Sequence, residues 1–451
     1  MTEYKRLLWL CAEVWSARSV HESAYLRRLV LILGAVTFFG AYASAVSAVA
    51  LEDLASSFGV ASGTTDLLSG PLTAIAIGAV AGCLIAMVAD RKGRKPVLVA
   101  STVLLALFSG ATASVESVEM FMLFQFLARA FLVGAYAVAV TMVAEEFPRT
   151  KRGSALGAIT FLGALGLPAA VGLHLLVKDT SLGWRALYLL SMFALLLVPL
   201  IRGNISETGR WKIEANPDRP SAAARHWSPG WTPAMLAMIF LFTFAVLLAG
   251  STWWNVYAEI QAGLTKSQVR LLLIVSYGVG VLGYLAAGRL QDRIGRRRTG
   301  TALMAGSMLF GIIVFQTHDV AVMLVAMSVA LFCGFGMSPV LAAYSAEMFP
   351  TRFRATAVGI GRGIFVTLGA LLGPFIIGVM ADASAVELLP DLPILGDLGN
   401  TLSLLALLYL PAIFLIRKLP ETAGRELENI STAEAATPTL RPSPWTELTR
   451  C

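Results

Sequence analysis

The sequence predicts an all-α membrane protein with twelve transmembrane helices in two pseudo-symmetric six-helix bundles. Three observations predict it. Of 451 residues, 57% are hydrophobic and only 14% charged, with mean hydropathy +0.74. Apolar runs long enough to cross a bilayer, which takes about 20 residues, occur twelve times. Short motifs recur at a constant spacing of 202 residues. A soluble chain of this composition has too little interior to hide its apolar side chains. Cytosolic enzymes, disordered proteins and disulfide-stapled secreted domains are therefore excluded. Helix is the required state, because open strands leave backbone groups unpaired in hydrocarbon.

Residues 1–28 form an N-terminal segment that mixes basic and apolar residues (Lys5, Arg6, Trp9, Trp15, Arg18, Arg27, Arg28). It reads as a helix lying on the membrane surface or as a plain tail. Its apolar stretch is too short for a cleavable signal. The first bundle takes 29–201, with runs at 29–51, 66–89, 96–115, 118–144, 154–178 and 184–201. A polar linker, 202–231, follows. The second bundle takes 232–416, with runs at 232–258, 269–290, 299–317, 320–346, 356–381 and 397–416. A polar tail, 417–451, closes the chain. Pro168, Pro339, Pro374 and Pro411 fall inside runs and predict kinks.

Charge placement sets the orientation. With a cytoplasmic N-terminus, the inner segments hold 29 of the 35 basic residues, and acids such as Glu52, Asp53, Glu116 and Asp319 occupy the outer loops. The net charge of +7 thus follows the positive-inside rule rather than a nucleic-acid partner. Both termini are expected in the cytoplasm of a cell whose plasma (inner) membrane the chain crosses. The four cysteines (Cys11, Cys83, Cys333, Cys451) are scattered and have neither disulfide nor metal-ligand spacing. No metal or cofactor is expected.

Asp90-Arg91-Lys92-Gly93-Arg94-Lys95 recurs as Asp292-Arg293-Ile294-Gly295-Arg296-Arg297, and Ala144-Glu145-Glu146-Phe147-Pro148 recurs as Ala346-Glu347-Met348-Phe349-Pro350. Each copy follows an even-numbered run. Arg152 and Arg354 keep the same spacing. Parallel halves of this kind suit a transporter that rocks about a central cavity. Gly93 and Gly295 permit a tight turn between two helices, and the acids sit where they can pair with loop arginines.

These motifs resemble the major facilitator superfamily over nearly the whole chain. Gly288-x-x-x-Asp292-Arg293-x-Gly295-Arg296-Arg297 is the diagnostic loop, and Ala86 replaces the leading glycine in the first copy. Glu145-x-x-Pro148-x-x-x-Arg152, Glu347-x-x-Pro350-x-x-x-Arg354 and Pro420-Glu421-Thr422 look like the cytoplasmic signatures of sugar porters and of organic-acid and organic-ion carriers. Ser206-Glu207-Thr208 is a weaker echo. The resemblance implies an ionic latch of Asp90, Arg91, Arg94, Glu145, Arg152, Asp292, Arg293, Arg296, Glu347 and Arg354 that shuts the cytoplasmic side. Such pairs are expected to be partly solvated and weak one by one. It also implies secondary or facilitative transport of a small organic solute, sugar-like or a carboxylate, possible proton coupling, and a chain that works as a monomer. An efflux carrier for drug-like compounds and a non-transporting sensor are the alternative readings. The spans hold no clustered catalytic residues, so no enzyme is expected.

Charged groups inside a span default to a functional reading. Arg129 lies about ten residues into the fourth run. In sugar porters the matching arginine partners an acid in the first helix, but Phe39–Ser44 holds none here. An anionic solute group or a structural partner are the two readings. Arg362 is a candidate coupling residue or a side chain snorkelling to the cytoplasmic surface. His174 is a candidate proton gate or faces a neighbouring helix. Trp253, Trp254, Asn255 and Tyr257 suit a solute site or an interfacial aromatic belt.

Overall fold

The computed structural model describes residues 2–50, 53–54, 57, 65–215, 230–381 and 397–432. Twelve helices are long and apolar enough to cross a membrane: α1 Ser23–Val49, α2 Thr73–Lys92, α3 Arg94–Ser114, α4 Val118–Glu146, α5 Arg152–Val177 and α6 Trp184–Asn204 in the first half. The second half has α7 Thr232–Gln261, α8 Lys266–Ile294, α9 Arg296–Gln316, α10 Val320–Glu347, α11 Thr351–Met380 and α12 Leu398–Lys418. These are the expected twelve runs, with ends shifted by a few residues.

The N-terminal segment is helical rather than a plain tail: the helix containing α1 begins at Thr2. No Gly or Pro between residues 2 and 28 interrupts it. Of the linker, residues 216–229 lie outside the described residues, as does the tail beyond 432. The described parts form a short helix, Gly209–Glu214, and another, Leu427–Thr432.

Two of the four prolines go with a break in their helix. α5 is interrupted at Leu165, three residues before Pro168, and α12 at Leu407–Leu408, three before Pro411. α10 carries Pro339 and α11 carries Pro374 without stopping. α11 also contains a π-helical turn over Gly361–Phe365, a wide turn that re-aims its side chains.

The halves meet through small residues that let backbones touch. A Cβ on Gly157 of α5 would lie 2.5 Å from the Tyr284 carbonyl oxygen and 2.9 Å from Gly288 Cα of α8. The related contact sets Gly359 of α11 against Ala86 of α2, 2.7 Å from such a Cβ. Ala86, the departure in the first motif copy, thus fills the place that Gly288 fills in the second. One apolar core runs through this junction, joining Ala86, Ala89 and Leu156 of the first half to Ala343, Ala355 and Val358 of the second. Contact between halves is concentrated at this end. The first segment of α5 packs on α8 and the first turns of α11 on α2, while their second segments pack inside their own halves, on α1 and α7.

Candidate functional site

The turns between α2 and α3 and between α8 and α9 have one shape. Gly93 has φ 104° and Gly295 φ 96°, a region that disfavours any side chain. A Cβ would also stand 2.5 Å from Glu207 Oε2 or from Glu421 Oε2, respectively, so the glutamate would have to shift. These two glutamates accept from the first backbone N–H groups of α3 (Arg94, Lys95) and of α9 (Arg296, Arg297) at 2.8–3.1 Å. A carboxylate at a helix N-terminus meets unpaired donors and a favourable dipole.

Asp90 and Asp292 do the same across the halves. Asp90 accepts from the Ala355 and Thr356 N–H groups and from Thr356 Oγ1, at the start of α11. Asp292 accepts from Gly153 N, Ser154 N and Ser154 Oγ, at the start of α5. Each aspartate also pairs with the arginine four residues on, Arg94 at 3.0 Å and Arg296 at 3.3 Å.

Two glutamates complete the network. Glu145 receives Arg94 at 3.0 Å from its own half and Arg354 at 2.9 Å from the other. Glu347 receives Arg296 at 3.0 Å and, across the halves, Arg152 at 3.2 Å. Thr208 and Thr422 each donate a hydroxyl to one of these carboxylates, at 2.6 and 2.5 Å. The expected partial solvation is not found. The four arginines and two glutamates are 0–2% exposed, because the segments carrying Glu207–Thr208 and Glu421–Thr422 roof them. A buried pair of this kind is weak support for stability but costs about 3–5 kcal/mol when one partner is removed. Arg91 and Arg293 do not join. Both are exposed and form no ion pair among the described residues, since they follow the aspartates by one residue and so point off the buried face.

At mid-depth, Arg129 of α4 donates to Ser44 Oγ of α1, in the stretch that lacks the acid. Its Nε has no partner among the described residues. Arg362, on the π-helical turn of α11, does not snorkel to the surface. Its guanidinium lies 5.2 Å from the Tyr136 ring centroid, a cation–π contact, and its charge reaches Arg129, Tyr136 and Tyr284. Tyr136 follows Arg129 by two helical turns, so both share one face of α4. Tyr284 stacks on Phe335 of α10 at 5.5 Å, and Tyr277 meets the same ring edge-on at 5.6 Å. Two cations from opposite halves and an aromatic wall thus converge. No acid lies within ion-pair distance of either arginine among the described residues.

Among the described residues the α7 aromatics pair with neither arginine, but Trp254 lines one cavity with Tyr277 of the aromatic wall. Trp254 and Tyr257 are buried within the second half, where Tyr257 meets Phe315 edge-on at 5.1 Å. Trp254 lines a cavity of about 80 Å³ with Ser251, Tyr277 and Phe315. Trp253 donates its indole N–H to the Pro374 carbonyl at 3.0 Å, and Asn255 is exposed. None has a hydrogen bond or ring contact with Arg129 or Arg362 among the described residues. His174 stands near the end of α5 away from the latch, 3.7 Å from Asp53. The sequence reading missed Tyr136, Tyr277, Tyr284 and Phe335, and gave Glu207 too little weight.

The family model described as Major Facilitator Superfamily matches residues 31–374 and 260–449. The chain belongs to that superfamily. This transporter is 28% identical to the putative niacin/nicotinamide transporter NiaP of Bacillus subtilis, over 68% of this chain and 77% of that one. It is 25% identical to the cis,cis-muconate transport protein of Acinetobacter baylyi, over 70% and 78%. Among solved structures it resembles the proton:xylose symporter XylE, with TM-score 0.69 at 18% identity over 91% of this chain and 99% of that one, a likeness of fold. The protein is thus a multi-pass membrane transporter for small organic solutes.

Proposed function

We propose that the transporter moves small aromatic or unsaturated carboxylates by alternating access. The carboxylate sits on Arg129 and Arg362, and the unsaturated skeleton lies against Tyr136, Tyr284 and Phe335. One observation carries this reading: Arg129, on Ser44 of α1, and Arg362, over the Tyr136 ring two turns along α4 from Arg129, bring a cation from each half to one region at mid-depth, and neither pairs with an acid among the described residues. Like charges held together in a low dielectric repel, and a bound anion relieves the repulsion. Aromatic walls with a few fixed polar groups suit a flat organic acid. The relatives named for niacin/nicotinamide and for cis,cis-muconate share a flat unsaturated skeleton, and niacin and muconate carry carboxylates.

In this reading the latch end faces the cytoplasm, because the basic residues gather there, and both termini lie on that side of the plasma membrane. The closed latch makes this the state shut toward the cytoplasm. One chain is the working unit, since its own two halves complete the site, and protons are the candidate coupling ion. Purified protein in sealed liposomes tests it. Labelled benzoate should enter saturably, faster with an acidic exterior, and muconate but not xylose should compete. Flux equal to that of empty liposomes would refute the reading.

A further inference from the structure

A groove of about 580 Å³ runs along the outside of the first half between α3 and α6, beside the latch end. Pro96, Val99, Ala100, Val103 and Leu104 form its wall, and Lys95 and Arg202 stand at its rim. The wall residues recur at three- and four-residue steps, so they make one stripe of α3. In a membrane-spanning bundle such an outward stripe meets lipid chains. The Lys95 ammonium donates to the Arg202 carbonyl at 2.9 Å, and neither side chain pairs with an acid among the described residues. Glu207, the acid beside them, uses its oxygens on the backbone N–H groups of Arg94, Lys95 and Thr208. Two cations are therefore held at the polar end of an apolar groove, neither of them in an ion pair among the described residues.

That arrangement fits one kind of ligand, an anionic head joined to a hydrocarbon chain. We propose that the groove binds an acidic phospholipid, its phosphate on Lys95 and Arg202 and an acyl chain along Val99, Val103 and Leu104. The second half repeats the cationic pair. Arg297, 202 residues after Lys95, donates to the Arg417 carbonyl at 3.4 Å. The basic rim is thus built at the same place in both halves. Lys95 also adjoins Arg94 of the latch, and both residues hold Glu207 through their backbones. A lipid seated there braces the helix start from which the buried latch arginine projects.

Native mass spectrometry of the detergent-purified protein tests the site, using phosphatidylglycerol and phosphatidylcholine with identical chains. The wild type should retain phosphatidylglycerol about tenfold or more over phosphatidylcholine. The double variant Lys95→Gln, Arg202→Gln should lose that preference. Val103→Trp, which keeps both charges but fills the groove, should lose it too, with the thermal transition of each variant recorded as the check on folding. Glycerol phosphate should not displace the lipid. Equal retention of the two lipids by the wild type would overturn the proposal. Undiminished retention by folded Val103→Trp would do so as well, and complete displacement by glycerol phosphate would assign the cations to a free phosphate instead.

Discussion

Arg354 and Glu145 belong to different halves of the molecule, yet they meet at 2.9 Å with both side chains out of water. Their counterparts at the same spacing, Arg152 and Glu347, meet at 3.2 Å. Each glutamate therefore answers to two arginines, one from its own half and one from the other. The proposed latch is a doubled clasp of buried pairs, and opening it would expose four guanidinium groups and two carboxylates to solvent, which rehydrates them and offsets the lost pairing. In the proposed gating role, closure and opening are then balanced states rather than a locked one and a broken one.

Glu145→Gln removes the charge on which Arg94 and Arg354 converge. The closed state should lose about 3–5 kcal/mol, the usual penalty for orphaning a buried ion. The expected readout is a lower thermal transition and a shift toward the state open at the latch. Glu347→Gln should act in the same direction. An unchanged transition for both variants would contradict the burial described above.

Asp90→Asn keeps the shape but loses the charge that caps the start of α11. Cys83 offers a native reporter, since it is buried between α2 and α11 and its thiol donates to the Gly359 carbonyl at 3.3 Å. In a protein whose other cysteines are serine, Cys83 should react faster with a maleimide after Asp90→Asn. Asp292→Asn, acting at the start of α5, should raise the rate as well.

Gly157→Val places atoms where the α8 backbone already lies, 2.5 Å from the Tyr284 oxygen for the Cβ alone. Neither neighbour is a flexible side-chain end, so the halves cannot close there. The variant should fold, stay open at the latch, and show transport lowered by about tenfold or more, as expected when one of two required states is removed.

Arg91→Gln and Arg293→Gln are the contrasting case. Both residues carry the motif's charge but are exposed and outside the clasp. Their thermal transitions should stay within the scatter of surface substitutions, about 0.5 kcal/mol, and the Cys83 reaction rate should not change.

The two halves were legible because a short motif had to be built twice, and a latch between pseudo-equivalent ends keeps one spacing. Asp90 and Asp292, Glu145 and Glu347, and Arg152 and Arg354 all obey the step of 202. Glu207 and Glu421 perform one job but stand 214 apart, so a search at one spacing passes over them. The mid-depth site was only half legible. An arginine in an apolar run announces itself by its cost, whereas Tyr136, Tyr277 and Tyr284 resemble any buried aromatic. Their one signal is the seven-residue step from Arg129 to Tyr136 and from Tyr277 to Tyr284, two helical turns on a shared face. For the α7 aromatics, composition reports chemistry without direction. Trp254 and Tyr257 lie three residues apart and face inward together, into the core of the second half. For Arg362 the snorkelling alternative fails because the π-helical turn aims it at Tyr136, and that turn has no sequence marker beyond its glycines.

The central claim is that a carboxylate is recognised by the arginine pair, and nicotinate with nicotinamide tests it, because the two share a ring and differ in charge. Each should be titrated as a competitor of labelled benzoate uptake by proteoliposomes holding wild type, Arg129→Gln or Arg362→Gln protein. The account predicts that wild type favours nicotinate by about tenfold to a hundredfold, the range for a charge-assisted hydrogen bond, and that either substitution removes most of that preference while leaving the nicotinamide titration unchanged. Equal competition by acid and amide in the wild type, or a preference that survives both substitutions, would contradict it.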